Sequence, residues 1–440
     1  MKIMGSGVAG LDEVLGGGFV SPSIILIGGS VGAGKTTLAL QSLFNSARNK
    51  ECCLFIASVS EPITSINNFL SPFSFFDPDL KTMHFVDAGE LLLMKKDAFG
   101  IIKDNIEAIK PDRVVIDSFL SLADMDKAAL DALITYMKRK NVLLILTDVF
   151  REESLNEHYI TSIVDGVIFL SIEEGRRWLT VLKLRGQNTS IKKHAFKFSK
   201  TGIEVFPKLK LEKVVSASDK KINLGVRGMD QIINKGVLEG SAILTAGEVG
   251  TGKTLFGFQF IHDGAKKGEK SLIISLNEDL ATITRNAKHF GFEFQPIANN
   301  GLVKVLYAPV ADLVPDEHLI KLKEALEGVN RVLIDGVSCY QSAFNATSNT
   351  ARDYKNYLQM VISLCKGRAI TSVFTSDTNP GEYYPSDIAP MMDGIIILSR
   401  AEEKGVRRRY IEVIKMRGSA HSTGKKLMDI TEKGLEVSPS

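Results

Sequence analysis

Two stretches of the chain carry the same eight-residue signature. Gly29-Ser30-Val31-Gly32-Ala33-Gly34-Lys35-Thr36 and Gly247-Glu248-Val249-Gly250-Thr251-Gly252-Lys253-Thr254 both fit G-x-x-x-x-G-K-[ST]. In each, glycines let the backbone curl until several N–H groups aim at one anion. The helix that follows, which takes in Thr37 in one copy and Leu255 in the other, adds the positive end of its dipole. A phosphate chain is the anion that suits such a cradle. Lys35 and Lys253 are placed to meet its β- and γ-phosphates, and the hydroxyls of Thr36 and Thr254 to ligate Mg²⁺. The implied ligand is a nucleoside triphosphate with its Mg²⁺.

A second acid completes each magnesium set. Arg113-Val-Val-Ile-Asp117 and Arg331-Val-Leu-Ile-Asp335 read as buried strands that end in aspartate. At the carboxyl edge of an α/β sheet such an aspartate faces the phosphate loop and holds the metal or its water. The expected metal residues are therefore Thr36 with Asp117, and Thr254 with Asp335. The four cysteines offer no alternative metal centre, because no Cys/His cluster has ligand spacing. Cys52 and Cys53 are adjacent and poorly placed to pair, while Cys339 and Cys365 read as packing residues.

The elements that must position these residues recur. Lys35 and Lys253 stand 218 positions apart, as do Asp117 and Asp335. Two modules follow, 1–213 and 214–440, joined by the charged, small-residue-rich stretch 207–221. The second module carries extra polar sequence around Ser338–Arg352, read as a loop. Ile24–Ile27, Cys53–Ala57, Val114–Ile116 and Val142–Leu146 read as buried strands. Thr36–Ala47, Ile101–Ile109 and Ala128–Met137 read as helices. Val167–Leu170 with Leu179–Leu182, and Ile395–Leu398 with Ile411–Ile414, read as late hairpins. The fold class is α/β: two tandem P-loop domains, each a mainly parallel sheet flanked by helices with an antiparallel hairpin extension.

Composition narrows the setting. Lys and Arg number 54 against 51 Asp and Glu, which reads against a chain that holds nucleic acid by bulk charge. The apolar runs fall far short of the ~18 residues that cross a bilayer, so no membrane association is expected. Residues Met1–Gly10 carry no apolar run of a secretory signal, and four cysteines make no disulfide framework. The expected compartment is the cytoplasm.

With these residues in hand, the chain resembles the KaiC family of RecA-like ATPases over nearly its whole length. The marks are Gly10–Gly18 (GLDEVLGGG), both phosphate loops, both aspartate strands, and the module ends Lys183-Leu-Arg185-Gly186 and Lys415-Met-Arg417-Gly-Ser-Ala-His421. The tandem layout is that of the family's clock member. The resemblance implies a homohexameric two-tiered ring with ATP between neighbouring subunits. It also implies that Lys183 and Arg185, and Lys415 and Arg417, reach across to the neighbour's γ-phosphate. There they would neutralise charge that develops in phosphoryl transfer, as an arginine finger does.

The chain departs from the family where the chemistry is most exposed. The family has adjacent glutamates after the second strand, the first of which polarises the attacking water. Here the pairs are Ser60-Glu61 and Asn277-Glu278. Glu61 and Glu278 remain as candidate catalytic acids, one place late. Neither serine nor asparagine takes a proton at neutral pH, although Asn277 can orient a water. Slow hydrolysis is expected, recovering if Glu61 or Glu278 swings onto the water. The clock member phosphorylates a Ser/Thr pair shortly before the Asp that matches Asp393. Here that stretch is Asp387-Ile-Ala389-Pro390, and neither Ala389 nor Pro390 accepts phosphate. Thr161-Ser162 before Asp165 reads as a polar turn, which leaves autokinase activity as a side reading.

Two other functions share this sequence. A RecA-like DNA recombination or repair ATPase would use the Ser338–Arg352 stretch, with Tyr340 and Phe344 as its aromatics. One aromatic pair is thin for strand binding, and the runs Lys138–Lys140, Lys192-Lys193 and Arg407–Arg409 read as solvated faces. A hydrolysis-poor scaffold would instead dock a regulatory protein partner only with ATP bound.

Overall fold

A computed structural model of the chain describes residues 2–57, 63–87, 98–121, 126–187, 189, 192–212, 218–310, 313–344, 350–378, 382–403 and 405–438. The chain divides into two compact units, Met1–Lys208 and Leu209–Ser440.

In the first unit the central strands are short, apolar and buried on both faces, as strands of a helix-covered parallel sheet must be. They are β1 (Ile24–Gly29), β2 (Cys53–Ala57), β3 (Met83–Asp87), β4 (Arg113–Ile116) and β5 (Leu143–Val149). The chain then turns back on itself through β6 (Gly166–Glu173), β7 (Arg176–Leu184), β8 (His194–Ser199) and β9 (Gly202–Phe206). The nine-stranded sheet runs β9-β8-β7-β6-β1-β5-β4-β2-β3. Strands β3 through β6 in that order are parallel, and β6 to β9 are antiparallel. The hairpin expected at the module's end is therefore the start of a three-strand antiparallel wing.

Helix α1 (Lys35–Arg48) packs on one face of the sheet, in a core with Phe44, Phe55, Ile145 and Ile203. Helices α2 (Ala98–Ile109) and α3 (Lys127–Lys140) lie in the core of the other face with Leu54, Val114 and Leu144. Asp126 caps α3 by accepting the N–H of Ala129, which starts the helix one residue ahead of its apolar stripe.

The second unit repeats the plan. Its strands are β10 (Ala242–Gly247), β11 (Ser271–Ser275), β12 (Val303–Tyr307), β13 (Arg331–Asp335), β14 (Thr371–Asp377), β15 (Gly394–Glu403), β16 (Val406–Met416), β17 (Lys426–Thr431) and β18 (Gly434–Val437). The order is β12-β11-β13-β14-β10-β15-β16-β17-β18. Helix α4 (Lys253–Lys266) stands where α1 stands in the first unit.

The stretch expected to be a polar loop after β13 is built differently. Its described residues form α5 (Val337–Tyr340), a 3₁₀ turn (Gln341–Phe344) and the start of helix α6 (Thr350–Lys366), while 345–349 lie outside the described residues. Tyr340 and Phe344 are buried, with ring centroids 5.2 and 5.5 Å from Tyr357. Two aromatics in this polar stretch outweigh its composition because each removes a large apolar area from water. A pair buried in the core offers no stacking platform, which corrects that element of the recombinase reading.

Candidate phosphate-binding sites

Each glycine-rich loop leaves the end of the sheet's central strand and enters a helix. Gly29 and Gly247 close those strands where a neighbouring strand comes too near for a side chain. A Cβ on Gly29 would lie 2.2 Å from the Leu170 carbonyl oxygen, and one on Gly247 2.0 Å from that of Leu398. Glycine is required there by contact and by backbone angle alike (φ 154° and 159°).

The loop lysines fold back over their own loops. The Lys35 ammonium donates to the carbonyls of Gly29 at 3.2 Å and Ser30 at 2.9 Å. That of Lys253 donates to Gly247 at 2.9 Å and Glu248 at 2.8 Å. The threonine beside each lysine meets the strand-end aspartate across 81 residues of sequence. Thr36 Oγ1 lies 3.0 and 3.3 Å from the two Asp117 oxygens, and Thr254 Oγ1 3.2 Å from both Asp335 oxygens. A hydroxyl and a carboxylate in contact, both hard oxygen donors, suit Mg²⁺.

Sequence reasoning missed a third member of each set. Thr147 Oγ1 donates to Asp117 Oδ1 at 2.5 Å, and Thr375 Oγ1 donates to Asp335 Oδ1 at 2.6 Å. A signal existed, since β5 and β14 both carry a threonine third from their end, Thr147 and Thr375, at matching places of the repeat. Burial pushes the Asp335 carboxyl above its usual range against the pull of Thr375 and Thr254. A carboxylate so placed gains from a cation beside it.

In the second unit these groups line a cleft of about 420 Å³ with Lys253, Thr254, Asn277, Glu278, Asp335 and Cys339 on its wall. Asn286 Nδ2 donates to Glu278 at 3.0 Å. Burial, and then the charge of Asp335, raise the Glu278 carboxyl. Asn277 Nδ2 donates to Cys339 Sγ at 3.5 Å. Cys339, expected only to pack, thus touches Asn277 on the cleft wall. Asp377, also unforeseen, lies 2.7 Å from the Lys253 ammonium. Ser60 and Glu61 lie outside the described residues.

A model of the family described as "ATPase: KaiC" matches residues 4–210 and again 222–440. The chain belongs to the KaiC family of ATPases. It is 28% identical over 98% of its length to the circadian clock oscillator protein KaiC of Picosynechococcus sp., covering 89% of that protein. It is 29% identical to the KaiC of Thermostichus vulcanus, over 98% of this chain and 88% of that one. The tandem repeat is thus a KaiC-family duplication, each copy a RecA-like domain.

The basic pairs of this KaiC-family chain do not meet the phosphate loop of their own module. Strand β6 runs parallel to β1, with Leu170 beside Gly29 and Gly166 beside Ile25. Lys183 pairs with Val167, toward the end of the sheet remote from the loop. Its ammonium donates to the carbonyls of Thr161 at 2.9 Å and Ser162 at 3.3 Å. Arg185 lies 3.5 Å from Asp165. The second unit matches: Lys415 donates to the Met392 carbonyl at 2.6 Å, and Arg417 lies 3.5 Å from Asp393. Burial, and then the neighbouring arginine, lower the ammonium pKa of both lysines.

Asp165 and Asp393 organise this end of each sheet. Asp165 accepts the N–H of Ile24 at 3.0 Å and pairs with Lys138 at 2.9 Å. Asp393 accepts that of Ala242 at 2.9 Å and pairs with Lys366 at 2.8 Å. Lys138, read in a solvated run, is therefore an anchor. The Thr161 and Ser162 hydroxyls donate to backbone carbonyls of His158 and Tyr159, each at 2.7 Å. Among the described residues no helix is long and apolar enough to cross a membrane.

Proposed function

We propose that the chain is a cytoplasmic KaiC-like ATPase that binds Mg-ATP at two sites, one per module, and hydrolyses it slowly. The supporting observation is the repeated contact of a loop threonine with a buried strand-end aspartate beside the loop lysine. In each module Lys35 or Lys253 meets the phosphates, while Thr36 with Asp117, or Thr254 with Asp335, holds magnesium. Magnesium then neutralises charge on the β- and γ-phosphates.

The site is completed in trans. Lys183 and Arg185, and Lys415 and Arg417, sit too far along their sheets to serve their own loops, which favours a homohexameric ring in which each pair serves the neighbour. Assembly and turnover are then one event, and nucleotide state reports to a regulatory protein partner. Turnover is slow because Ser60 and Asn277 replace proton acceptors, leaving Glu61 and Glu278 to act from one position later.

The test is ATP turnover of size-fractionated protein, wild type beside Lys35→Ala and Lys253→Ala. A hexamer with slow turnover, lost in one or both variants, supports the reading. ATP-dependent assembly without turnover above the double variant favours the nucleotide-gated scaffold, for which the Asn277 substitution speaks. Salt-sensitive retention of DNA would return the recombinase reading.

A further inference from the structure

Both phosphate loops are gripped from outside by an arginine of the late hairpin. Arg177 Nη1, on β7, donates to the Gly32 carbonyl at 2.9 Å. Its guanidinium lies 4.8 Å from the centre of the Phe198 ring. Phe198 itself borders the loop, since a Cβ on Gly34 would lie 2.8 Å from its ring. In the second unit Arg400 Nη2, on β15, donates to the Val249 carbonyl at 2.6 Å, and the same nitrogen lies 3.9 Å from Glu248.

The two arginines are not equivalent in the repeat. Leu170 and Leu398 occupy matching places, beside Gly29 and Gly247. Two residues on, Ile172 matches Arg400. In register, Ile172 pairs with Arg177, and Arg400 pairs with Arg409. The same rung of the hairpin thus delivers a guanidinium to the apex of the loop in both modules, from opposite strands. A surface arginine with no task would not be expected to reach the same loop apex from both strands of one rung.

The carbonyls of a phosphate loop point outward so that N–H groups point inward to the anion. A cation bound to an outward carbonyl holds that peptide plane in the anion-binding sense and adds positive potential at the loop. We propose that Arg177 and Arg400 are positioning residues, each fixing the apex of its own module's phosphate loop in the conformation that receives the nucleotide's phosphates. The inference rests on the nucleotide reading above. It adds that ATP affinity in each module depends on the hairpin. Strand β7 carries Arg177 near one end and Lys183 six residues on, about 20 Å away at roughly 3.3 Å per residue. One rigid strand thereby joins a module's own phosphate loop to its basic pair.

The experiment uses the full chain with one loop disabled at a time. In a Lys253→Ala background, Arg177→Gln and Arg177→Lys are compared for ATP binding by calorimetry. In a Lys35→Ala background the same is done for Arg400. The glutamine variants are expected to weaken ATP about tenfold and to raise KM more than they lower kcat. The lysine variants, which keep the charge and a donor, are expected to recover to within about threefold. The melting temperature without nucleotide should hold, while its rise with ATP should shrink.

Glutamine variants that bind ATP within twofold of their parents overturn the proposal while leaving the nucleotide reading intact. So does a fall in melting temperature without nucleotide that accounts for the lost binding. Parent chains that bind no ATP, or a Lys35→Ala/Lys253→Ala chain that still binds it, overturn the nucleotide reading and the proposal with it.

Discussion

The ammonium of Lys253 lies 2.7 Å from Asp377 Oδ1 in the second module. A phosphate that claims Lys253 must compete with that carboxylate. In the first module the matching position is Val149, which lies beside Gly29 as Asp377 lies beside Gly247. The second site thus holds a carboxylate on its loop lysine from a strand position that is valine in the first module. Asp377→Asn, in a chain whose first loop is disabled by Lys35→Ala, should tighten ATP by about three- to tenfold, a gain on the order of 1 kcal/mol. Calorimetric titration checks this. Weaker binding would mean that Asp377 supports the ligand instead of competing with it.

The second module's cleft places an amide, Asn277, where the family resemblance implies a carboxylate. Asn277 donates to Cys339 Sγ at 3.5 Å, and Glu278 is tied to Asn286 at 3.0 Å. Asn277 offers a water no proton acceptor, and one Glu278 oxygen is held by Asn286. Asn277→Glu should raise kcat at this site by about tenfold or more, the range that a positioned general base contributes. Single-turnover phosphate release in the Lys35→Ala background reads it. An unchanged or lower rate would mean that the missing acid is not what limits turnover.

What could be read from sequence follows from what is local. Strands such as Cys53–Ala57 and the loops themselves are contiguous, and repetition confirms each from the other copy. Thr147 and Thr375 escaped because their partners, Asp117 and Asp335, are 30 and 40 residues away and meet them only through sheet order. Arg177 and Arg400 escaped for a related reason: they match in space but not in sequence register. Ser338–Arg352 misled by composition, since its polar residues outnumber Tyr340 and Phe344 while those two rings decide where it packs. Lys138 misled likewise, as one cation of a basic run that turns inward to Asp165.

His318 gives the second module an acid sensitivity of its own. It is 3% exposed, and its Nδ1 lies 2.7 Å from the Tyr357 hydroxyl. Burial, with Lys321 adding to it and Glu317 opposing, lowers its pKa from 6.5 to about 4. Tyr340 is the other titratable ring against it. A folded pKa below the unfolded one means that the unfolded chain binds a proton that the fold refuses. Stability from this residue is full above about pH 6.5 and declines as pH falls toward about 4, by up to about 3 kcal/mol. Denaturant melts of the full chain across that range should show the second transition losing stability, and His318→Gln should flatten the slope. An unchanged slope in the variant would assign the acid sensitivity elsewhere.

The placement of Arg417 makes a prediction about pairs of chains. It sits by Asp393, at the end of the sheet away from Lys253, and on the proposed reading in trans one chain that lacks its own phosphate loop still lends its arginine. Arg417→Ala should lower turnover at the second site by about a hundredfold or more while ATP binding changes little, because an arginine supplied in trans acts on developing charge. Lys253→Ala should abolish binding at that site. Both variants are made with Lys35→Ala, so that only the second site reports. Each is expected to be nearly inactive alone. Mixed and reassembled, they should regain up to about a quarter of wild-type turnover at that site, since one interface in four then joins an intact loop to an intact arginine under random mixing. A mixture as inactive as its components, with mixed rings verified by mass, would place Arg417 outside the neighbour's site.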